Sequence, residues 1–137
     1  DEIRASLGIN QMKRIKKMNS LRKKAANYYT EKLRNVNGIV VPNESIGTEH
    51  VHHLYVIRIT KKYPITRDML FNKLLKNGIR TSVHYKPLHM FKIFKKMAKV
   101  SGSLSNSRNA YSQILSLPMY PSISKKQQDL VIHNIER

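Results

Sequence analysis

The sequence contains no cysteine, which excludes disulfides and thiolate chemistry and is compatible with a cytoplasmic setting. No apolar run approaches the roughly 18 residues that a membrane helix needs, so no membrane partner or anchor is expected. Only eight of the 137 residues are acidic. They are scattered, mostly at expected helix starts or in loops, and so do not form the paired carboxylates of glycosidases or metal-carboxylate enzymes. Five glycines form no phosphate loop, and no serine sits in a nucleophile-elbow pattern. The opening residues, Asp-Glu-Ile-Arg-Ala-Ser-Leu-Gly, lack the basic start and apolar run of a signal peptide. They begin in the middle of an amphipathic pattern, so the chain is expected to be cut from something longer.

What is abundant is positive charge: 26 Lys and Arg against those eight acids, a formal net charge of +18. Such a surface attracts polyanions through counterion release whatever its biological role. The basic residues are spread along most of the chain, with no zinc-finger spacing or aromatic-basic RNA-recognition motif. Lysine outnumbers arginine 17 to 9, which suits a solvated surface better than bidentate base readout. No specific nucleic-acid partner is therefore expected, although a basic nucleic-acid-binding or partner-binding module without catalysis stands as the alternative reading. The length suits one domain that buries roughly two-thirds of its unfolded surface.

From Glu2 to about Arg34, apolar residues recur three or four apart at Ile3, Leu7, Ile15, Met18, Leu21, Ala25, Tyr29 and Leu33, which predicts one long helix with a lysine-rich outer face. Asn35 and Asn37-Gly38 supply its stop. At roughly 50 Å it exceeds what a domain of this size can cover, so it is expected to kink or to expose Ile3, Leu7 and Ile15. Strands are predicted at Ile39–Pro42 and Val51–Thr60. A helix follows, capped by Thr66, with Met69, Leu70, Leu74 and Leu75 as its stripe. Met90–Val100 reads as a basic amphipathic helix packing Phe91, Phe94 and Met97, and Arg108–Leu115 as a short helix. Ser116–Pro121 is an extended segment between prolines. A last helix begins at Ser124 with a capping box to Gln127 and buries Leu130, Val131 and Ile135. The fold class is α+β, a small sheet with helices packed on it and a long N-terminal helix in the lead.

Two stretches carry candidate chemistry. His50, His52 and His53 suggest metal ligation, and His50 and His52 would share a strand face, but no third ligand is assigned to that face and structural or solvent histidines are the simpler reading. Ile79–His89 predicts an alternating strand, with Ile79, Thr81, Val83 and Tyr85 on one side and Arg80, Ser82, His84 and Lys86 on the other, stopped by Pro87. His84 and Tyr85 thus sit where a strand leaves its sheet. Taken alone, the stretch reads more simply as a half-buried strand with a surface histidine.

Several segments, in order, are similar to the nucleotide-sugar aminotransferases of the DegT/StrS type: Glu2–Ile15; Arg22, Ala26, Tyr29 and Leu33; His53–Arg58; Arg67-Asp68; Gly78–His89; and Ser116–Pro121. The resemblance implies the C-terminal small domain of a pyridoxal-phosphate-dependent, fold-type I enzyme, with residues 1–34 as an interdomain helix and the large cofactor domain absent. It implies transfer of an amino group from glutamate to a nucleotide-linked keto sugar, in a cytoplasmic homodimer. No lysine here matches the family's Schiff-base lysine, so no catalytic or cofactor-binding residue is expected in this chain. His84 and Tyr85 correspond to residues near sugar and cofactor at a site between subunits, and are the substrate-binding candidates. Two departures, Met90-Phe91-Lys92 after His89 and Ser105 after the glycine loop, replace prolines common in relatives and leave the sugar's identity open.

If the charge serves only as a solvated surface, any retention on DNA should be sequence-independent and should vanish on raising salt to the physiological range. A clear sequence preference at that salt would support the nucleic-acid alternative.

Overall fold

The chain was analysed as a computed structural model that describes residues 1–99 and 101–137. In order, the elements are α1 (Glu2–Leu33), β1 (Ile39–Val40), β2 (Tyr55–Ile59), α2 (Arg67–Lys76), a 3-10 turn (Leu88–Met90), α3 (Lys92–Met97), α4 (Ser105–Gln113), β3 (Ile114–Leu117) and α5 (Lys125–Glu136). The three strands form one antiparallel sheet in the order β1-β2-β3, so the expected α+β class is found. Tyr55, Ile57 and Ile59 of β2 point into the core while Arg58 points out, the two-residue period of a half-buried strand.

α1 is capped by Asp1, whose carboxylate accepts the Arg4 N–H at 2.8 Å. Its 32 residues span roughly 48 Å. Residues 1–17 are exposed on every side, Ile3 by 77% and Leu7 and Ile15 with it, as the length argument requires. Only the last turns bury anything: Ala25, Ala26, Tyr29 and Leu33 pack on the sheet and α5. There the buried Gln128 Nε2 donates to the Ala25 carbonyl at 2.8 Å. Beyond α1 the chain passes Gly38, at φ +82°, where an added Cβ would lie 2.1 Å from the Tyr63 nitrogen. Only glycine satisfies both the left-handed backbone and this close approach.

The caps of α2 and α5 are as expected. Thr66 Oγ1 accepts from Met69 N–H, and Ser124 and Gln127 form a full capping box. The buried faces are narrower than their stripes. Leu70 and Leu74 are buried in α2 but Met69 and Leu75 are exposed; in α5, Val131, Ile132 and Ile135 are buried and Leu130 is exposed. Arg67 is buried at the head of α2. Its Nη1 donates to the Ile114 carbonyl at 3.0 Å, its Nε to Asp68 Oδ1 at 2.6 Å, and its guanidinium lies 5.2 Å from the Tyr111 ring centroid. The buried cation is thus partnered on each side.

Four expectations are corrected. Ile39–Pro42 forms only a two-residue strand, β1. β2 begins at Tyr55, not Val51, so His50 and His52 do not share a strand face; they sit in the preceding loop with rings stacked 4.3 Å apart. Ile114–Leu117, expected partly as helix, is a strand pairing with β2. The predicted helix Met90–Val100 is split into the 3-10 turn and α3, and Phe91, Phe94 and Met97 stay exposed; Val100 lies outside the described residues.

In the loop before β2, His50 N–H donates to Glu44 at 2.6 Å and His52 N–H to His50 Nδ1 at 2.8 Å. Among the described residues no three His, Cys, Asp or Glu side chains are grouped to hold a metal ion. Burial, helped by His50, holds the His52 imidazole below its ordinary pKa, against the pull of Glu44. The unfolded chain therefore binds this proton more readily. Its contribution to stability is fully present above the ordinary histidine pKa and is lost as pH falls through the lowered folded-state value. The urea midpoint should drop from pH 7.5 to pH 5 more in the wild type than in His52→Asn; equal drops would remove His52 from the account. Gly38→Ala should cost about 1–3 kcal/mol from backbone strain alone, before the clash with Tyr63 is added. Gly8→Ala, in the middle of α1 with nothing within 4 Å of the new Cβ, should instead raise helicity by circular dichroism.

Candidate functional site

The stretch Ile79–His89 follows α2 directly. Its alternation is real on one side, since Ile79 is buried and Thr81 and Val83 are half-buried. It is not a regular strand, however. One bridge, Ser82 to Ser116, ties it to the far edge of β3, with Ser82 N–H donating to the Ser116 carbonyl at 3.1 Å and Ser116 N–H to the Ser82 carbonyl at 2.8 Å. The pattern predicts a strand, and a single bridge is found, with no regular element assigned to residues 83–87.

That bridge positions His84. The ring is half-buried, its Nδ1 is 2.8 Å from the hydroxyl of Ser116, and its edge meets the Tyr85 ring with centroids 4.8 Å apart. The His84–Tyr85 peptide bond is cis. Tyr85 is 76% exposed and has no hydrogen bond among the described residues. The two sequence-predicted residues are therefore adjacent but unequal: His84 is held, Tyr85 is free to be covered by a ligand or another surface.

Both line an open cleft of about 500 Å³, whose opposite wall is α4, through Ser107, Ala110 and Tyr111, and Ile114 at the start of β3. Pro87 and Leu88 also line it, and Lys86 adds a cation, its ammonium 5.1 Å from the Phe91 ring centroid. No carboxylate lines this cleft. It combines an imidazole, a phenol, an ammonium and a serine hydroxyl with apolar walls. That set suits a ligand bearing hydroxyl or phosphate oxygens. The one hydroxyl held against a base, Ser116 on His84, is only 4% exposed and does not line the cleft, so covalent chemistry on it is not indicated.

Sequence reasoning missed Ser116 and Tyr111 as parts of this site. Ser116 belongs to a segment that matched the family pattern, but its role depends on the pairing of β2 with β3, Tyr55 opposite Leu117 and Val56 opposite Ser116, which no local signal specifies. Tyr111 enters through its stacking on the buried Arg67.

Comparison with known proteins gives the affiliation. Residues 1–136 match the DegT/DnrJ/EryC1/StrS aminotransferase family. The chain is 32% identical over 137 residues to the spore coat polysaccharide biosynthesis protein SpsC of Bacillus subtilis, covering 98% of this chain and 35% of that protein. It is 31% identical to the UDP-4-amino-4-deoxy-L-arabinose–oxoglutarate aminotransferase of Shewanella sediminis, covering 96% of this chain and 36% of the relative. Its fold superposes with TM-score 0.87 and 30% identity on S. venezuelae DesV, solved in complex with a ketimine intermediate, covering 99% of this chain and 36% of that one. The chain thus spans about a third of the length of the curated relatives it matches. With the match running from the first residue to Glu136, across α1, the sheet and the His84 cleft alike, this chain belongs to the DegT/DnrJ/EryC1/StrS aminotransferase family.

Proposed function

We propose that this chain is the C-terminal small domain of a pyridoxal-phosphate-dependent sugar aminotransferase, with residues 1–34 as the helix leading into it. The reaction is transfer of an amino group from glutamate to a nucleotide-linked keto sugar, in the biosynthesis of polysaccharides or other cell-surface sugars. The observation that carries this reading is the unbroken family match over residues 1–136, and the activities of relatives that aminate UDP-linked sugars supply the substrate class. We place the full-length protein in the cytoplasm as a homodimer, with His84 and Tyr85 facing a site built jointly with other parts of the assembly.

The residues present do not form a cofactor cradle of their own. A lysine that condenses with an aldehyde works best when desolvated, and every described lysine here is exposed or half-buried. The pyridoxal phosphate is accordingly assigned to the remainder of the full-length protein, and no chemical step is routed through this chain. What the chain contributes is binding and orientation. His84 offers a ring nitrogen to a sugar or phosphate oxygen, Tyr85 offers an aromatic face and a hydroxyl, and the apolar wall of Ala110 and Ile114 limits water at the reacting ring.

Two measurements test this. Mixing the chain with pyridoxal phosphate and reducing with borohydride should give only scattered, substoichiometric lysine labelling; one stoichiometric site would refute the assignment of the cofactor elsewhere. In the full-length protein, His84→Asn should lower efficiency with the nucleotide sugar by roughly ten- to hundredfold, the loss of one active-site hydrogen bond, while the glutamate half-reaction is nearly intact. Equal losses in both half-reactions would place His84 with the cofactor or the fold.

A further inference from the structure

Ser116 is only 4% exposed, and its backbone is committed on both sides, opposite Val56 of β2 and bridged to Ser82. Its hydroxyl has one hydrogen bond among the described residues, to His84 Nδ1 at 2.8 Å. A serine hydroxyl carries one proton, and a buried proton without an acceptor is unfavourable. Two arrangements satisfy the distance. If Nδ1–H donated to the hydroxyl oxygen, the serine proton would have no acceptor. If the hydroxyl donates to Nδ1, the serine is satisfied and the ring proton of neutral His84 lies on Nε2. That second nitrogen is not among the buried atoms left without a partner, and His84 lines the open cleft, so an Nε2 proton there is available to a ligand.

We infer that Ser116 is a positioning residue that holds His84 in its Nε2–H tautomer, so that this imidazole presents a hydrogen-bond donor to a sugar hydroxyl or phosphate oxygen in the cleft. The identity of the ligand rests on the sugar-aminotransferase reading; the tautomer does not. A carbonyl or carboxylate against Nδ1 would fix the opposite tautomer, with Nε2 as acceptor. The choice of a serine, a donor as well as an acceptor, therefore sets the polarity of the site. No carboxylate lines the cleft to compete for the Nε2 proton.

The tautomer can be read directly by long-range nitrogen–proton NMR on the 137-residue chain near pH 8, where histidines are ordinarily neutral, with His84 assigned by the loss of its signals in His84→Asn. The wild type should show Nε2–H alone, Ser116→Thr should keep it, and Ser116→Ala should admit the Nδ1–H form. Nδ1–H in the wild type, or an unchanged tautomer in a folded Ser116→Ala, would overturn the inference. Should Ser116→Ala fail to fold, the wild type and Ser116→Thr decide it between them. In the full-length protein Ser116→Ala should raise KM for the nucleotide sugar by roughly three- to tenfold, the range of one neutral hydrogen bond, with Ser116→Thr restoring it. An altered tautomer with an unchanged sugar KM would overturn the ligand assignment. A failed tautomer experiment would overturn the positioning role while leaving the family reading untouched.

Discussion

The structure depends on the seating of the last turns of α1 against β2, through the pair Tyr29 and Tyr55. Both are fully buried, with ring centroids 5.2 Å apart, and each hydroxyl is partnered. Tyr55 shares a 2.7 Å hydrogen bond with Thr30, and Tyr29 donates to the Pro118 carbonyl at 3.2 Å. One contact thus joins the leading helix, the central strand and the segment leaving β3. Burial pushes the Tyr55 hydroxyl up to about 12, despite the opposing Thr30 bond, and raises Tyr29 as well, so both stay neutral across any working pH. With two large aromatic rings fixed, the register of β2 against β3 is fixed. That register sets Ser116 opposite Val56, and the separate bridge from Ser116 to Ser82 brings His84 onto its hydroxyl. The candidate site is two hydrogen-bonded steps from the core, which is why a half-buried histidine outside any regular element is held at all.

How far this was legible in the sequence follows from the range of the forces involved. Helix starts are local, and Thr66 and the Ser124-Gln127 box were visible because capping is settled within four residues. α1 was visible through its apolar spacing. β3 was visible only in Ser116-Leu117: Ile114-Leu115 continues straight from α4 without a glycine or proline to break it, and only pairing with Ile57 and Arg58 decides that it is extended. The reverse error occurred before β2, where Val51–Leu54 alternates like a strand, but the His50–His52 stack and the Glu44 bond to His50 draw the backbone into a loop. At the candidate site, His84 and Tyr85 were legible by composition and by their place ahead of Pro87. Their inequality was not, because it comes from a serine 32 positions away.

The narrowness of the buried faces points the same way as the length of α1. Leu75 and Leu130 lie on stripes that their helices could bury, and Phe91, Phe94 and Met97 form an apolar strip, yet all are exposed. Leu88 and Ile93 add to that strip beside the His84 cleft. Scattered exposed apolar residues need no explanation, but contiguous ones on a helix flanking a cleft do. The chain spans about a third of its relatives' length, and the proposed reading of it as one domain of a larger enzyme accounts for them without any special role for each residue. The same reading covers residues 1–17, which are exposed on every side and owe their helical form to local propensity and the Asp1 cap.

Charge distribution completes the physical account of the site. None of the eight acids falls between Asp68 and Asp129, the interval that contains the whole of the His84 cleft. The acids that do exist are used elsewhere: Asp129 receives the Tyr28 hydroxyl, Asp68 the buried Arg67, and Glu44 the His50 amide. The lining of the cleft therefore carries Lys86 and no carboxylate, within the overall positive field of a chain of net charge +18. Such a field draws in an anionic ligand without choosing among anions, and it weakens as salt rises. Discrimination has to come from shorter-range groups, and in this chain those are the oriented His84 ring, the exposed Tyr85 and the wall of α4. Long-range attraction and short-range fit are thus supplied by different residues, and substitutions at the surface lysines should change the rate of encounter without changing which ligand is accepted.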